Sequence, residues 1–402
     1  MRVLFAWEMG RNFGHITQIL PVAEALARRG LKVDLALRNP AAMSQFGGST
    51  DFRVVQAPYR SPGKPQPGEA PPPVLLYSDD LLHCGYNDAS SLATLMSEWE
   101  SLFEQLQPDV IVAQAAPTAL LVSHGKKYRR FTLGRGYDIP PATSPQRPLR
   151  HWETGDPLEL ASREARILST INAALQIRGR EPLTTFSDFL KVEKTFLCAL
   201  KETDHYPDRG RVPYYGSPAT SDSGTELMWA PGAVQRIFAY IRPEKKVSIP
   251  VIQALLRLPA NIDIIVAAPG VNDSVLKGLK RPGVRIISGP VRLGPLLPHC
   301  DLLISHASSG ICNTALRAGI PLLMFPNHIE QLMQARAIAR QGAGLGVAGG
   351  MSPDGVLQAI GRVLREPHFR NAARAIQEKY RDLDPDQVAD RIAAEIIGTV
   401  VT

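Results

Sequence analysis

RVLFAWEMGRNFGHITQILPVAEALARRGLKVDLAL, residues 2–37, is the stretch whose reading decides the fold. RVLFAW (2–7) is a short apolar run of strand length. Beyond the loop that follows it, Ile16, Ile19, Leu20, Ala23, Leu26 and Ala27 recur at helical spacing, and Gly30 stops that amphipathic helix. KVDLAL (32–37) is the next strand. Strand, helix and strand in such close succession form a βαβ unit, whose crossover makes the two strands parallel. The connecting loop carries GRNFGH (10–15), with His15 directly behind Gly14 where the strand gives way to the helix. Gly10 and Gly14 do not complete the GxGxxG spacing of a dinucleotide fingerprint, so their role is to bend the loop.

The alternation continues. Strands are expected at 52–56, 109–113 and 130–133, and helices at 158–178 and 184–201. SPGKPQPGEAPPP (61–73) is too rich in proline and glycine for a regular element and reads as a long surface loop. Composition changes at HYPDRGRVPYYGSPATSDSG (205–224), and a second series of strands then begins: RIFAYI (236–241), IDIIVAA (262–268), VRIIS (284–288), DLLIS (301–305) and IPLLMF (320–325). The length of 402 residues exceeds the roughly 250–300 at which a single core usually divides. The expected fold class is therefore α/β, with two doubly wound Rossmann-like domains. The first spans 1–204, a linker region 205–235, the second domain 236–365, and terminal helices over 366–402 pack back toward the first domain. Doubly wound sheets bind ligands at the carboxyl ends of their strands, so an interdomain cleft lined by residues that follow strands is expected.

Bulk properties exclude several classes. An apolar fraction of 44% with 21% charged residues is that of a folded globular chain. The net charge of +7 is spread along the chain, and the densest runs, LARRG (26–30) and GKKYRR (125–130), are short and carry no interleaved aromatics, which argues against nucleic acid as a partner. The charge is compatible with anionic ligands and with peripheral contact at an anionic membrane surface. Cys84, Cys198, Cys300 and Cys312 show no CxxC spacing, which argues against zinc and against a disulfide framework and fits a reducing compartment. Met1 leads straight into the first strand without a signal-peptide pattern, and no apolar run reaches the roughly 18–20 residues of a membrane span. These features predict a cytoplasmic location.

The second chemical focus is DLLISHASSGICNTALRAGIPLLMFPNHIEQLMQARAIARQGAG (301–344). His306 follows a strand immediately, and Ala307-Ser308-Ser309-Gly310 open a helix. Small residues let a ligand approach the backbone, and the exposed N–H groups and positive dipole end suit a phosphate or diphosphate. His306 and the hydroxyls of Ser308 and Ser309 could donate to the same anion. Beyond Pro326, Glu330 and Gln331 place a carboxylate beside a carboxamide, the combination of acceptors and donors that reading sugar hydroxyls requires.

This segment resembles the donor-site signature of the GT-B glycosyltransferases, the group containing the UDP-glycosyltransferases and the bacterial lipid II N-acetylglucosaminyltransferase. GHITQILPVAEALARRG (14–30) resembles that group's first loop and helix, and residues 172–218 its domain-end helices and linker. The resemblance implies a nucleotide-sugar donor held mainly by the C-terminal domain, an acceptor against the N-terminal domain, and neither metal nor bound cofactor. By position, His306 matches the histidine near the donor phosphates, Gly310 the opening of the signature helix, and Glu330-Gln331 the pair that contacts donor sugar hydroxyls. Val291 falls where backbone reads the base. Arg242, just after the first strand of the second domain, is a further candidate for a phosphate contact. The chain departs from the plant-type signature at several points. Pro290 stands in place of the base-stacking tryptophan, Ile311 and Cys312 in place of the hydroxyls beside the diphosphate, Ala307 and Ser308 in place of glycines, and Thr314 in place of the ribose-binding glutamate. Loss of that glutamate points to a deoxyribose donor such as a dTDP-sugar.

Inverting transfer needs a base to take the acceptor proton, and a neutral imidazole is suited to it once its other nitrogen is oriented. In the group, a histidine at the position of His15 often serves as that base, helped by an aspartate from a later loop. The corresponding region, DVIVAQAAPTALLVSHG (109–125), has no carboxylate after Asp109, leaving Asp79, Asp80 and Glu8 as candidates. The expected function is sugar transfer from a UDP- or dTDP-type donor to the hydroxyl of a natural-product, lipid-linked or protein acceptor. A nucleotide-sugar hydrolase of the same fold and a catalytically silent nucleotide-sugar-binding protein remain as alternatives.

Overall fold

Val3, Leu4, Phe5, Ala6 and Trp7 are all completely buried, which only a strand covered on both faces can achieve. In the computed structural model this run is β1 (Arg2–Trp7), paired in parallel with β2 (Lys32–Leu37) through the crossover helix α1 (Ile16–Arg28). The structure describes residues 1–10, 14–45, 52–61, 73–218, 224–242, 246–269, 271, 281–347 and 349–401. Arg11, Asn12 and Phe13 of the first loop, most of the proline-rich stretch 61–73, and part of the predicted linker lie outside these residues.

The chain divides into two compact units. The first comprises Met1–Ala199, Tyr206–Ala219 and Asp384–Thr402; the second comprises Leu200–His205 and Thr220–Leu383. The first unit carries β3 (Arg53–Gln56), α2 (Tyr77–Leu81), α3 (Ala89–Leu106), β4 (Val110–Gln114), α4 (Pro117–Ser123), β5 (Arg129–Gly134), α5 (Pro157–Ile177) and β6 (Lys194–Leu197). Its sheet is parallel throughout, in the order β3-β2-β1-β4-β5-β6. Leu4, Trp99, Phe103, Ile111, Ile171 and Phe186 belong to one continuous core on one face of it.

The second unit carries β7 (Gln235–Tyr240), α6 (Ser248–Leu255), β8 (Ile262–Ala267), β9 (Val284–Ile287), β10 (Leu302–Ser305), α7 (Ser309–Arg317), β11 (Leu322–Met324), α8 (Ile329–Arg340), β12 (Gly344–Gly346), α9 (Pro353–Arg365) and α10 (Pro367–Lys379). Its parallel order is β12-β11-β10-β7-β8-β9. Alternate strand residues enter two separate cores: Phe238, Ile265, Leu303 and Met324 on one face, Ile237, Ile264, Leu302 and Leu323 on the other. The last helix, α11 (Pro385–Val401), belongs to the first unit, where Arg28 and Arg29 at the end of α1 pair with Asp390.

One expected helix is absent. Residues 184–201 form a 3₁₀ turn, Asp188–Leu190, and the edge strand β6. β-branched Thr195 and aromatic Phe196 favour the strand, and Phe196 stacks on Phe131 of β5 at 5.9 Å between ring centres. β12, whose sequence is Gly-Leu-Gly, carries no strand signal of its own. Gly344 fits there because a Cβ would come within 2.6 Å of the Leu322 carbonyl oxygen.

Candidate functional site

In each unit the strand order reverses direction once. In the first, β1 leads outward to β2 and β3, whereas β4 leads the other way to β5 and β6. The loops after β1 and β4 therefore leave the sheet side by side, at its topological switch point. They are tied together there. The N–H groups of Glu8 and Met9 both donate to the Ala115 carbonyl, at 3.3 and 2.8 Å. The Glu8 carboxylate accepts from the Thr118 N–H at 2.9 Å and from its hydroxyl at 2.6 Å. Ala115 takes φ of 47°, an unfavourable conformation for a residue with a Cβ.

His15 stands in this junction at the N-terminal boundary of α1, yet its side chain caps nothing. Its ring stacks on Trp7 with 5.2 Å between centres, and its Nδ1 lies 2.9 Å from Gln114 Oε1. The Gln114 Nε2 in turn reaches Asp138 Oδ2 at 3.4 Å. Gly10, at φ of 81°, packs at the Nε2 edge of the ring: a Cβ there would lie 2.1 Å from Nε2. Burial pushes the imidazole pKa down to about 4; the Asp138 charge opposes this and Arg135 adds to it. The ring is therefore neutral at pH 7.

None of the three carboxylates expected to orient His15 does so. Glu8 is committed to Thr118, and burial raises its pKa to about 7. Asp79 accepts from the backbone of Leu75 and Leu76 and pairs with Arg163. Asp80 accepts from the Tyr137 hydroxyl. The partner is a carboxamide, Gln114, the last residue of β4. Neither Gln114 nor Asp138, in the turn after β5, carries a motif signal, because the group's pattern has an acid in the loop after β4. Gly14 is next to this cluster, where a Cβ would make only ordinary contact, 3.9 Å, with the Arg135 guanidinium.

The second unit repeats the plan. β7 leads to β8 and β9 and β10 to β11 and β12, so the switch point lies between β7 and β10. His306 follows β10 and Arg242 follows β7, and the two meet: the Arg242 N–H donates to His306 Nε2 at 3.0 Å. His306 Nδ1 lies 2.9 Å from the Phe325 carbonyl, and Ser248 Oγ is 3.2 Å from Nε2. The Phe325 carbonyl can only accept, so Nδ1 carries the proton and Nε2 is the acceptor. This revises the expectation that His306 donates to an anion. Both ring nitrogens are spent joining the loops after β7 and β11 to the start of α6, which makes His306 an internal brace. Ala307, at φ of 64°, turns the chain from β10 into α7.

Ser308 occupies the N-cap position of α7 without a side-chain cap. Ser309 is buried and donates to Gln334 Oε1 at 2.9 Å, so its hydroxyl serves the α7–α8 contact. Gly310 is exposed, and a Cβ there would meet nothing within 4 Å, leaving the backbone of the first turn open to a ligand. Glu330 sits in the first turn of α8, its Oε2 4.0 Å from His328 Nδ1. Gln331 accepts from the Asn327 N–H at 2.9 Å and so closes the loop leading into that helix. Val291 lies on the other wing, beyond β9. Its bridge to Thr225 uses the Pro290 carbonyl and the Arg292 N–H, so the peptide groups of Val291 itself point away from the bridge. Beside the brace is a cavity of about 470 Å³ lined by Lys246, Val247, Pro250, Phe325, Pro326, Val347, Gly349, Gly350 and Met351. Among the described residues no cluster of His, Cys, Asp and Glu has the make-up of a metal site, and no helix is long and apolar enough to cross a membrane.

Residues 251–395 match the family model described as "Erythromycin biosynthesis protein CIII-like, C-terminal domain". The elloramycin glycosyltransferase ElmGT of Streptomyces olivaceus is 36% identical over 133 residues, 32% of each chain. The aclacinomycin-T 2-deoxy-L-fucose transferase of Streptomyces galilaeus is 31% identical over 149 residues, 35% of this chain and 33% of that one. The chain thus matches about a third of the length of these relatives. Spinosyn rhamnosyltransferase SpnG, solved in complex with thymidine diphosphate, superposes with a TM-score of 0.67 at 19% identity, covering 98% of this chain and 100% of that one. The fold of this chain is accordingly that of the GT-B glycosyltransferases, two Rossmann-like units with six parallel strands each.

Proposed function

We propose that this chain is an inverting, metal-independent glycosyltransferase that moves a sugar from a dTDP-type donor to a hydroxyl of a natural-product aglycone. The observation that carries this reading is His15, a buried neutral imidazole whose Nδ1 is engaged and whose Nε2 is left with the lone pair. Nε2 takes the acceptor hydroxyl proton as the acceptor oxygen attacks the anomeric carbon. The bond from that carbon to the diphosphate breaks on the opposite face, and the nucleoside diphosphate leaves. The second unit meets the anion with the open first turn of α7 at Gly310 and with Arg242, and Glu330 and Gln331 take sugar hydroxyls. The names of two relatives, an elloramycin glycosyltransferase and an aclacinomycin-T 2-deoxy-L-fucose transferase, support the substrate class.

Of the two donor types left open by the resemblance to UDP-glycosyltransferases, Thr314 favours dTDP. Its hydroxyl donates its one hydrogen to the Gly310 carbonyl at 2.9 Å within α7, which leaves a neutral acceptor where the signature has a carboxylate. UDP and dUDP differ only in the 2′-hydroxyl and isolate this point. The chain is expected to bind dUDP at least as tightly as UDP in calorimetry. Thr314→Glu should shift the preference toward UDP about tenfold, the worth of one charge-assisted hydrogen bond. Tenfold tighter UDP binding by the unaltered chain would exclude the deoxyribose reading. Stabilisation by none of dTDP, UDP and GDP in a melting assay would exclude the donor site altogether.

A further inference from the structure

We propose that Asp138 dictates which nitrogen of His15 carries its proton, acting at one remove through the carboxamide of Gln114. The inference rests on the reading of His15 as the base and names the residues that position it.

A carboxamide has one end that only accepts and one that only donates, whereas an ionised carboxylate only accepts. Asp138 therefore fixes the orientation of Gln114: the Nε2 end must face the carboxylate, because the opposite flip would set oxygen against oxygen. With Nε2 held 3.4 Å from Asp138, Oε1 is turned to His15, 2.9 Å from Nδ1. Oε1 can only accept, so Nδ1 carries the hydrogen and Nε2 the lone pair. Gln114 is completely buried and has no solvent to turn toward. Asp138 is itself held, with the Arg135 guanidinium and backbone N–H each 3.4 Å from Oδ2.

The interposed amide also separates orientation from charge. A carboxylate bonded directly to Nδ1 would raise the ring pKa further and so favour the charged form more strongly. Through the amide the charge acts only across space. It is the largest influence opposing burial on this ring, which still stays neutral at pH 7. When Nε2 takes a proton from the acceptor, the imidazolium keeps its Nδ1–H bond to Gln114, and Asp138 balances the new charge. No proton passes beyond Nε2. Gln114 and Asp138 are thus positioning residues, and His15 alone meets the reacting atoms.

The test reads the ring directly. Imidazole nitrogen shifts of His15 are measured by NMR on histidine-labelled protein at pH 7 without substrate, so the result is independent of whether the chain transfers sugar. The intact chain should show Nδ1 protonated and Nε2 bare. Asp138→Asn preserves shape, but asparagine can accept or donate, so Gln114 loses its single orientation and both tautomers should appear. Gln114→Leu should remove the Nδ1–H signature. With substrates, Asp138→Asn should lower kcat tenfold or more at unchanged KM, a split that simple loss of folding would not give. A His15 that keeps one Nδ1–H form in Asp138→Asn, an isosteric change, overturns the proposal, as does an Nε2–H form in the intact chain.

Discussion

Replacing His15 by alanine is expected to lower kcat by about 10²–10⁴-fold, the usual worth of a general base, and to leave dTDP binding unchanged. The separation follows from where the residue is held. His15 belongs to the first unit, clasped by Trp7, Gln114 and Gly10, whereas the groups assigned to the donor, from Arg242 to Gln331, belong to the second. A pH profile carries the same signature. With His15 as the proposed base the active form is the neutral ring, and its pKa of about 4 means that kcat should not fall near pH 6.5, where a solvated histidine titrates, but only as pH approaches 4. Stability has a matching sign. The folded-state pKa lies below the unfolded value of 6.5, so His15 has no effect above pH 6.5. Below it the unfolded chain binds a proton that the folded chain refuses, and stability falls until about pH 4, by about 3 kcal/mol in all. His15→Ala should flatten this limb in denaturation at pH 7 and pH 4.5. Glu8 acts in the opposite direction: its raised pKa of about 7 favours the folded state fully below pH 4.5, and that contribution is lost as pH rises through 7.

Gly10→Ala is expected to lower kcat about 10²-fold and to destabilise the first unit by about 1–3 kcal/mol. Two causes combine. The φ of 81° suits glycine, and the added Cβ would lie 2.1 Å from His15 Nε2, 2.9 Å from Cε1 and 3.0 Å from Cδ2. The ring must then leave its place on Trp7 and Gln114, or the loop must open. Because the clash is with the ring, the double variant Gly10→Ala/His15→Ala should recover part of the lost stability relative to Gly10→Ala alone, which thermal denaturation of the four proteins of the cycle can read. Equal destabilisation in both backgrounds would assign the whole effect to the backbone.

How far the sequence carries is visible at these same positions. The βαβ unit of residues 2–37 was readable because buried runs and helical periodicity alternate there without ambiguity, and the second series of strands was readable for the same reason. β6 was not, because Lys194–Leu197 is four residues long and runs into the apolar Cys198–Leu200, which equally suits a helix face. β12 was not, because its pairing depends on what Leu322 leaves room for, not on what Gly344–Gly346 prefers. At the site, motif position located His15 and His306 but could not tell their states apart. One has its Nδ1 bonded to Gln114 and an Nε2 lone pair, and the other has both nitrogens bonded within the fold. Gln114 and Asp138 were missed because the orienting group was sought as a carboxylate one contact away, in the loop after β4. The acid comes from a different strand, and only three-dimensional proximity joins the two.

Incubation of the protein with dTDP-sugars and a panel of natural-product aglycones, followed by NMR of the product, tests the central claim most directly. The account predicts acceptor-dependent release of dTDP and a glycoside whose anomeric configuration is opposite to that of the donor. Release of dTDP and free sugar at the same rate without acceptor, a product of retained configuration, or tight dTDP-sugar binding with no turnover by any acceptor would each contradict it.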